Sequence, residues 1–510
     1  MSNESQEQQA VSSPVEDQAV PAKVFPPGRL PPVRWRQMPE PIPFWRMVGP
    51  SIILAGLALG SGEFVLWPYI TYRSGFVFFW ACVVGVTIQY FINMEVTRWA
   101  LATGESATTG FSRLGRAWPV VFLALNILPW MIPAWAFGSG QLLGWLFQGY
   151  REPAQDQLAV PLAVASLVLC GVVLTAGPVV YRTVERLQMA LVLFVLVIVL
   201  GVAVVWVRWD AVEAMLGGLV PGRFPDPQTS KLSAMTLLGA LAFAGVGGTL
   251  NLGQANYVKD KGYGMGAYVG RITSPITGQE EPITETGYLF PLDETNLARW
   301  RRWWRLANWE HFFSFFLTCL VSLMLLMLIC YSVFYTPEGV RRPDAGDHAR
   351  NLRFIWEESQ LIARDPDHPL GSLVRYLFLA MGVGILLSTE IGVLDAVSRI
   401  STDLVKVNWL RDDPRWSESR LYFAFLWGLI LLGVPVLVAS SGRFDGFALF
   451  RLSSAMNGAV MALYSALLIY LNRRVLPEPL RASWLRAGML GAACLLFGGF
   501  AVWAFAGSLR

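Results

Sequence analysis

Charge is scarce in this 510-residue chain. Asp, Glu, Lys and Arg together make up 15% of it, against about 25% in a soluble globular protein. With 54% apolar residues, that shortage excludes an ordinary water-soluble fold. Cysteine is sparse too. Cys82, Cys170, Cys319, Cys330 and Cys494 all lie in apolar stretches without CxxC spacing, which excludes a disulfide-stapled domain or a thiolate metal cluster. The three histidines, His311, His348 and His368, form no HxxxH pair, so a zinc site of that kind is excluded. No nucleophile–base pair or cofactor motif appears, so the chain reads as a non-enzyme with no cofactor. The net charge of +4 is spread among loops and does not suggest nucleic acid.

Apolar runs of about 20 residues recur along the chain, each long enough to cross roughly 30 Å of hydrocarbon. They predict eleven spans near 46–72, 75–101, 118–147, 157–177, 185–207, 232–257, 310–335, 371–404, 420–439, 446–472 and 484–507. This is the pattern of an all-α integral membrane protein. Residues 1–44 are polar and then Pro-rich, and read as a disordered tail; no signal-peptide core precedes the first span. The transmembrane domain then covers 45–507. Arg113, Arg116, Arg182, Arg186, Arg299, Arg301, Arg302, Arg305, Lys406, Arg411, Arg415, Arg473, Arg474 and Arg481 fall in alternate loops. Positive charge marks the cytoplasmic side, so the N-terminus is expected in the cytoplasm, and the plasma (inner) membrane is the expected location. The loop 258–309 contains GYGMGAYVG, which follows a membrane helix rather than a strand and so is no dinucleotide fingerprint. It ends in ARWRRWWRLANW, which reads as a helix on the membrane surface. A short helix is expected at NLRFIWEESQLIAR in the segment 336–369.

Two spans carry helix-breaking clusters. The first contains LALGSGEFVLWP, with Gly60, Ser61, Gly62 and Glu63. The sixth contains LAFAGVGGTLNLGQANY, with Phe243, Ala244, Gly245, Gly247, Gly248, Thr249, Asn251 and Gln254. The two lie five spans apart, as two five-helix halves repeated with inverted topology require, and the broken helices of such proteins form the binding site. The halves are then about 46–207 and 232–472, with 484–507 an extra helix. Helices one and six are therefore expected to be discontinuous and to touch at Gly60–Glu63 and Ala244–Gly248. The eighth span adds Glu390 at its middle, and Asp395 with Arg399 four residues later. Intramembrane charge is costly enough that it usually serves function. Glu63 and Glu390 are the candidate binding, metal or proton-relay groups. Asp395–Arg399 reads first as a structural ion pair and second as part of a relay. Asn93, Glu95 and Arg98 read as a structural network.

The sequence resembles the Nramp-like divalent-metal transporters, a family with the LeuT-like fold. Gly49-Pro50, the first-span break at Gly60–Glu63, Gly75-Phe76, Trp80, Arg98 and Thr103-Gly104 follow that family's spacing without a gap. LLSTEIG in the eighth span and YLNRRVLP in the tenth also fit. The departures fall at the metal site. The family's metal-binding Asp maps to Gly60, its Asn to Glu63, and its Met-Pro-His to Phe243, Ala244 and Gly245. The resemblance implies a symporter using alternating access, with protons as the coupling ion. Without sulfur or imidazole, the implied cargo is a hard divalent cation such as manganese or magnesium. A second resemblance competes: GSGEF is similar to the Gly-Ser-Gly-Ile-Phe of amino-acid transporters in the wider superfamily, which implies a small cationic or zwitterionic organic solute. A non-transporting sensor on the same scaffold is a third reading.

Overall fold

The computed structural model describes residues 17–152, 154–221, 232–274, 286–343, 352–364, 370–440 and 446–508. Nine of its helices are long and apolar enough to span a membrane: Pro50–Ser74, Phe79–Thr103, Ala159–Ala176, Val180–Trp206, Glu294–Phe334, Gly371–Trp409, Glu418–Ser440, Gly446–Val475 and Trp484–Ala506. Two further spans are each made of two helices. The third is Trp118–Ile127 followed by Ala134–Gln148, and the sixth is Ala234–Ala242 followed by Leu250–Lys261. Among the described residues, these nine helices and two helix pairs fall on the eleven apolar runs, and the chain is an integral membrane protein.

Three irregularities decide the interior. The sixth span is interrupted where expected: Gly245, Gly247 and Gly248 take φ of 140°, 78° and 58°, conformations that side chains with a Cβ rarely adopt. The third span is interrupted between Ile127 and Ala134, where Pro129 and Pro133 remove helix donors.

The first span corrects the expectation of an unwound break. Leu59–Leu66 is wound as a π-helix, with the Trp67 amide donating to the Gly62 carbonyl, and the helix runs on from Pro50 to Ser74. The glycines of GSGE serve close approach instead. A Cβ at Gly62 would lie 1.3 Å from the Phe243 carbonyl oxygen, and one at Gly60 would lie 2.2 Å from Thr389 Oγ1. The wider π turn keeps its backbone groups bonded while the sixth and eighth spans press against it.

Residues 17–44 also depart from the sequence reading. Rather than forming a disordered tail, they pack across the helix ends on one face. Val20, Phe25, Leu30, Val33 and Met38 are buried. Strand β1 (Arg34–Trp35) pairs in parallel with β2 (Tyr288–Leu289). Arg113 donates to the carbonyls of Pro27 (2.7 Å) and Pro31 (3.0 Å), and Arg299 to that of Met38 (3.0 Å). A few apolar side chains, spaced along the segment and held by backbone pairing, replace the periodic core that its composition lacks. Residues 1–16 lie outside the described part.

ARWRRWWRLANW belongs to the long helix Glu294–Phe334 and is not a separate surface helix. Trp300 and Trp303 are buried, with their rings against Phe290 and Tyr263, and the Trp303 indole donates to the Pro39 carbonyl (2.8 Å). The indoles bury themselves against the amino-terminal segment and its loop. The helix Arg353–Ala363 forms where expected and caps the opposite end of the molecule. Its Phe354 meets Tyr69 and Tyr72, and its Trp356 meets Trp145 and Tyr150.

Candidate functional site

The three irregular stretches converge. Gln89, on the second span, donates to the Ala242 carbonyl (2.8 Å) and accepts from the Gly247 amide (3.1 Å). It thereby satisfies backbone groups on both sides of the sixth-span break, which would otherwise be costly at that depth. Trp130, in the third-span break, donates from its indole to Thr249 (2.9 Å). Trp130 and Trp135 both lie against the Phe243 ring, with centroids 5.9 and 6.1 Å apart. The first span joins from the other side through Gly62 and the Phe243 carbonyl. Thr389 ties the eighth span to the first: its hydroxyl donates to the Leu57 carbonyl (3.0 Å) and accepts from the Gly60 amide (3.0 Å).

Of the residues singled out in the sequence, Gly60, Gly62, Phe243, Ala244, Gly245 and Gly247 line this junction and are buried; the side chain of Ser61 lies outside the described residues. Asn251 is buried one turn beyond and donates to Tyr464 (2.9 Å). Glu63 is fully buried. It accepts a hydrogen bond from Ser322 on the seventh span through Oε2, Cys319 of that span also acts on it, and among the described residues Oε1 takes no hydrogen bond. Glu390 turns elsewhere. Its Oε2 accepts from the Ala136 amide (3.1 Å), in the first turn of Ala134–Gln148, where a carboxylate offsets unpaired amides and the positive helix end. The two carboxylates therefore engage different elements, and among the described residues no three His, Cys, Asp or Glu side chains are grouped to hold a metal ion.

Asp395 and Arg399 form a buried bridge. Arg399 Nε lies 2.9 Å from both Asp395 oxygens, and its Nη1 reaches Asp260 on the sixth span. Tyr422 of the ninth span donates to Asp395 (2.7 Å). Asn93 and the Glu95–Arg98 pair are buried; Arg98 donates to Glu95 (2.8 Å) and to the Leu480 carbonyl (3.1 Å), and Asn472 donates to Glu95 (2.9 Å).

The sequence reading missed several members of the junction: Gln89, Trp130, Trp135, Ser322, Asn457 and Ser453, whose hydroxyl donates to the Pro129 carbonyl (2.9 Å). The prolines of NILPWMIP were the available signal for the third-span break; the others look like ordinary polar or aromatic residues of apolar helices. Polar atoms around this junction are buried without a hydrogen-bond partner among the described residues. They include the Asn251 and Asn457 carbonyl oxygens and the Trp135 indole N–H. Asn457 faces Gly248, where a Cβ would lie 2.0 Å from its oxygen, and Trp135 faces Phe243 and Phe450. Buried groups of this kind are rare unless something pairs with them.

This architecture has counterparts among solved structures. A manganese transporter from Eremococcus coleocola, in two single-residue mutants, matches with TM-scores of 0.64 and 0.65. The chain is 13% and 14% identical to them, with 95% and 96% of it covered and 90% and 91% of theirs. The chain shares their fold, the LeuT fold. MhsT, solved in complex with L-phenylalanine, matches with a TM-score of 0.50 at 14% identity, over 89% of this chain and 97% of that one. No family profile matches the sequence, and no curated protein does.

Proposed function

We propose that this LeuT-fold protein is a secondary transporter working by alternating access, and that its cargo is a small polar organic solute with a cationic or zwitterionic group. The observation that carries this reading is the mixed set of unpartnered polar atoms at the sixth-span break. A hard divalent cation prefers oxygen acceptors, six to eight of them for calcium. Here the sixth-span break is met by a group that can only donate, the Trp135 indole against Phe243, as well as by the acceptors Asn251, within the span, and Asn457, against Gly248, and Trp130, Trp135 and Phe243 supply apolar walls. An aromatic-lined site with a few polar groups suits an organic ligand. Glu63, one residue beyond the Gly62–Phe243 contact, supplies the charge that favours an amine or the coupling proton.

The likeness to a manganese transporter supports the other reading, a hard divalent cation such as manganese or magnesium. A thermal-unfolding screen of the purified protein separates the two. A ligand at one hundred times its Kd stabilises the folded state by about 2.7 kcal/mol. The organic reading expects stabilisation by amines or amino acids, and its loss in Asn457→Ala; stabilisation by manganese or magnesium alone would overturn it.

A further inference from the structure

Away from the junction, at the amino-terminal end of the first span, three spans share a buried polar cluster. Glu310 and His311 come from the seventh span, Ser51 from the first and Gln254 from the sixth, and all four are buried. Ser51 donates its hydroxyl proton to Glu310 Oε2. A hydroxyl has one proton, so Ser51 Oγ must accept from its other neighbours, His311 Nδ1 at 2.8 Å and Gln254 Nε2 at 3.4 Å. That fixes the imidazole with its proton on Nδ1. The bare Nε2 and the Gln254 Oε1 are buried with no hydrogen-bond partner among the described residues. Glu310 Oε1 also takes the amides of Gly49 and Ser51, each at 3.4 Å. These are the cap and first-turn amides of the helix that starts at Pro50, so the carboxylate docks on that helix's positive end.

We propose that Glu310 is a proton-binding site that locks the amino-terminal end of the first span against the seventh, with Ser51 and His311 as its positioning residues. As a carboxylate, Glu310 holds the amides and the Ser51 hydroxyl. A proton taken from water onto that carboxylate removes the charge that makes these bonds strong, and the end of the first span is released. Other groups face the cluster from every side. Lys261 of the sixth span acts on Glu310, and its ammonium lies on the Val48 carbonyl (3.1 Å) and on Glu185 of the fifth span (2.5 Å). Tyr181 and Tyr263 also feel the charge of Glu310. His311 has Tyr90 of the second span stacked at 5.5 Å and Arg486 of the eleventh acting on it. Lys261 keeps its carboxylate partner Glu185 when Glu310 is neutralised, so release is confined to the Glu310 contacts.

The inference rests on the alternating-access reading for its meaning, and its test does not use transport. Spin labels go on Trp45→Cys, which is 84% exposed just before the first span, and on Trp409→Cys, which is 50% exposed at the end of the eighth, in a Cys494→Ser background. Pulsed electron resonance then reads the distance between them from pH 5 to pH 9. Losing one charge-assisted hydrogen bond shifts the equilibrium about tenfold, so a longer-distance population is expected to grow by about that factor at acid pH. Glu310→Gln should show it at every pH, and Ser51→Ala should weaken the pH response. A pH-independent distance in the wild type would overturn the proposal even if the Gln variant failed to fold, as would a Glu310→Gln variant identical to wild type. A pH-driven opening without uptake in vesicles would overturn the transport reading alone.

Discussion

Glu358 lies on the helix Arg353–Ala363, outside the spans, and is only 3% exposed. Phe354, Ile355, Ser359 and Ile362 share its buried face. Burial pushes its carboxyl from the ordinary 4.5 up to about 8, so the neutral form is the one the cap accommodates. A folded-state value raised this way gives stability that is complete below about pH 4.5. It is lost as the pH rises towards 8 and changes no further above that. At about 1.4 kcal/mol per pH unit the rise corresponds to roughly 5 kcal/mol, enough to undock one amphipathic helix while the bundle stays folded. The perturbation is a pH series from 5 to 9 on wild type and on Glu358→Gln, which keeps the neutral shape. The assay is hydrogen exchange of the amides of residues 352–364, corrected for intrinsic exchange. Opening in the wild type should increase about tenfold per pH unit between roughly pH 5 and 8 and then level off, whereas Glu358→Gln should be flat. A wild-type cap whose protection ignores pH, or a variant with the same slope, would refute the reasoning.

Three other outcomes follow from the geometry. Gly62→Ala would place a methyl 1.3 Å from the Phe243 carbonyl oxygen, so it should cost about 3 kcal/mol or more and lower the thermal midpoint far more than alanine at Gly201, where a Cβ meets nothing within 4 Å. Arg399→Leu leaves Asp395 and Asp260 buried without their cation, a loss of about 3–5 kcal/mol; Arg399→Leu with Asp260→Asn should recover part of the midpoint, and no recovery would argue against the bridge. Deleting residues 1–44 uncovers the groove filled by Phe25, Val33 and Met38, each worth about 1.5–3 kcal/mol of burial, so the truncated protein should unfold at a clearly lower temperature. An unchanged midpoint would mean that the amino-terminal segment contributes nothing.

The spans were legible because apolar length is a strong signal. The sixth-span break was legible because three glycines with interleaved polar residues have few other uses in a membrane helix. The first-span cluster gave the position of an irregularity but not its form. Glycine both permits unwinding and permits close approach, and only the neighbouring Phe243 carbonyl and Thr389 show that approach is what Gly60 and Gly62 provide. Pro129 and Pro133 were a visible signal for the third-span break, overlooked because the run around them is apolar enough for one helix. The packing of residues 17–44 was not legible, since its stability comes from a groove made by distant residues rather than from its own pattern. Glu390 shows the limit of reading charge alone: a buried carboxylate suggests function, yet its contact is the Ala136 amide of a helix end that the prolines had freed.

The account centres on a solute carried between the first and sixth spans, and uptake into vesicles reconstituted with the purified protein tests it most directly. A labelled amine or amino acid that stabilises the protein should accumulate saturably. Excess manganese or magnesium should not compete, and Glu63→Gln, which keeps the shape and removes the charge, should abolish uptake or its pH dependence while folding normally. Uptake competed by divalent cations, or transport by Glu63→Gln at the wild-type rate with an unchanged pH response, would contradict it.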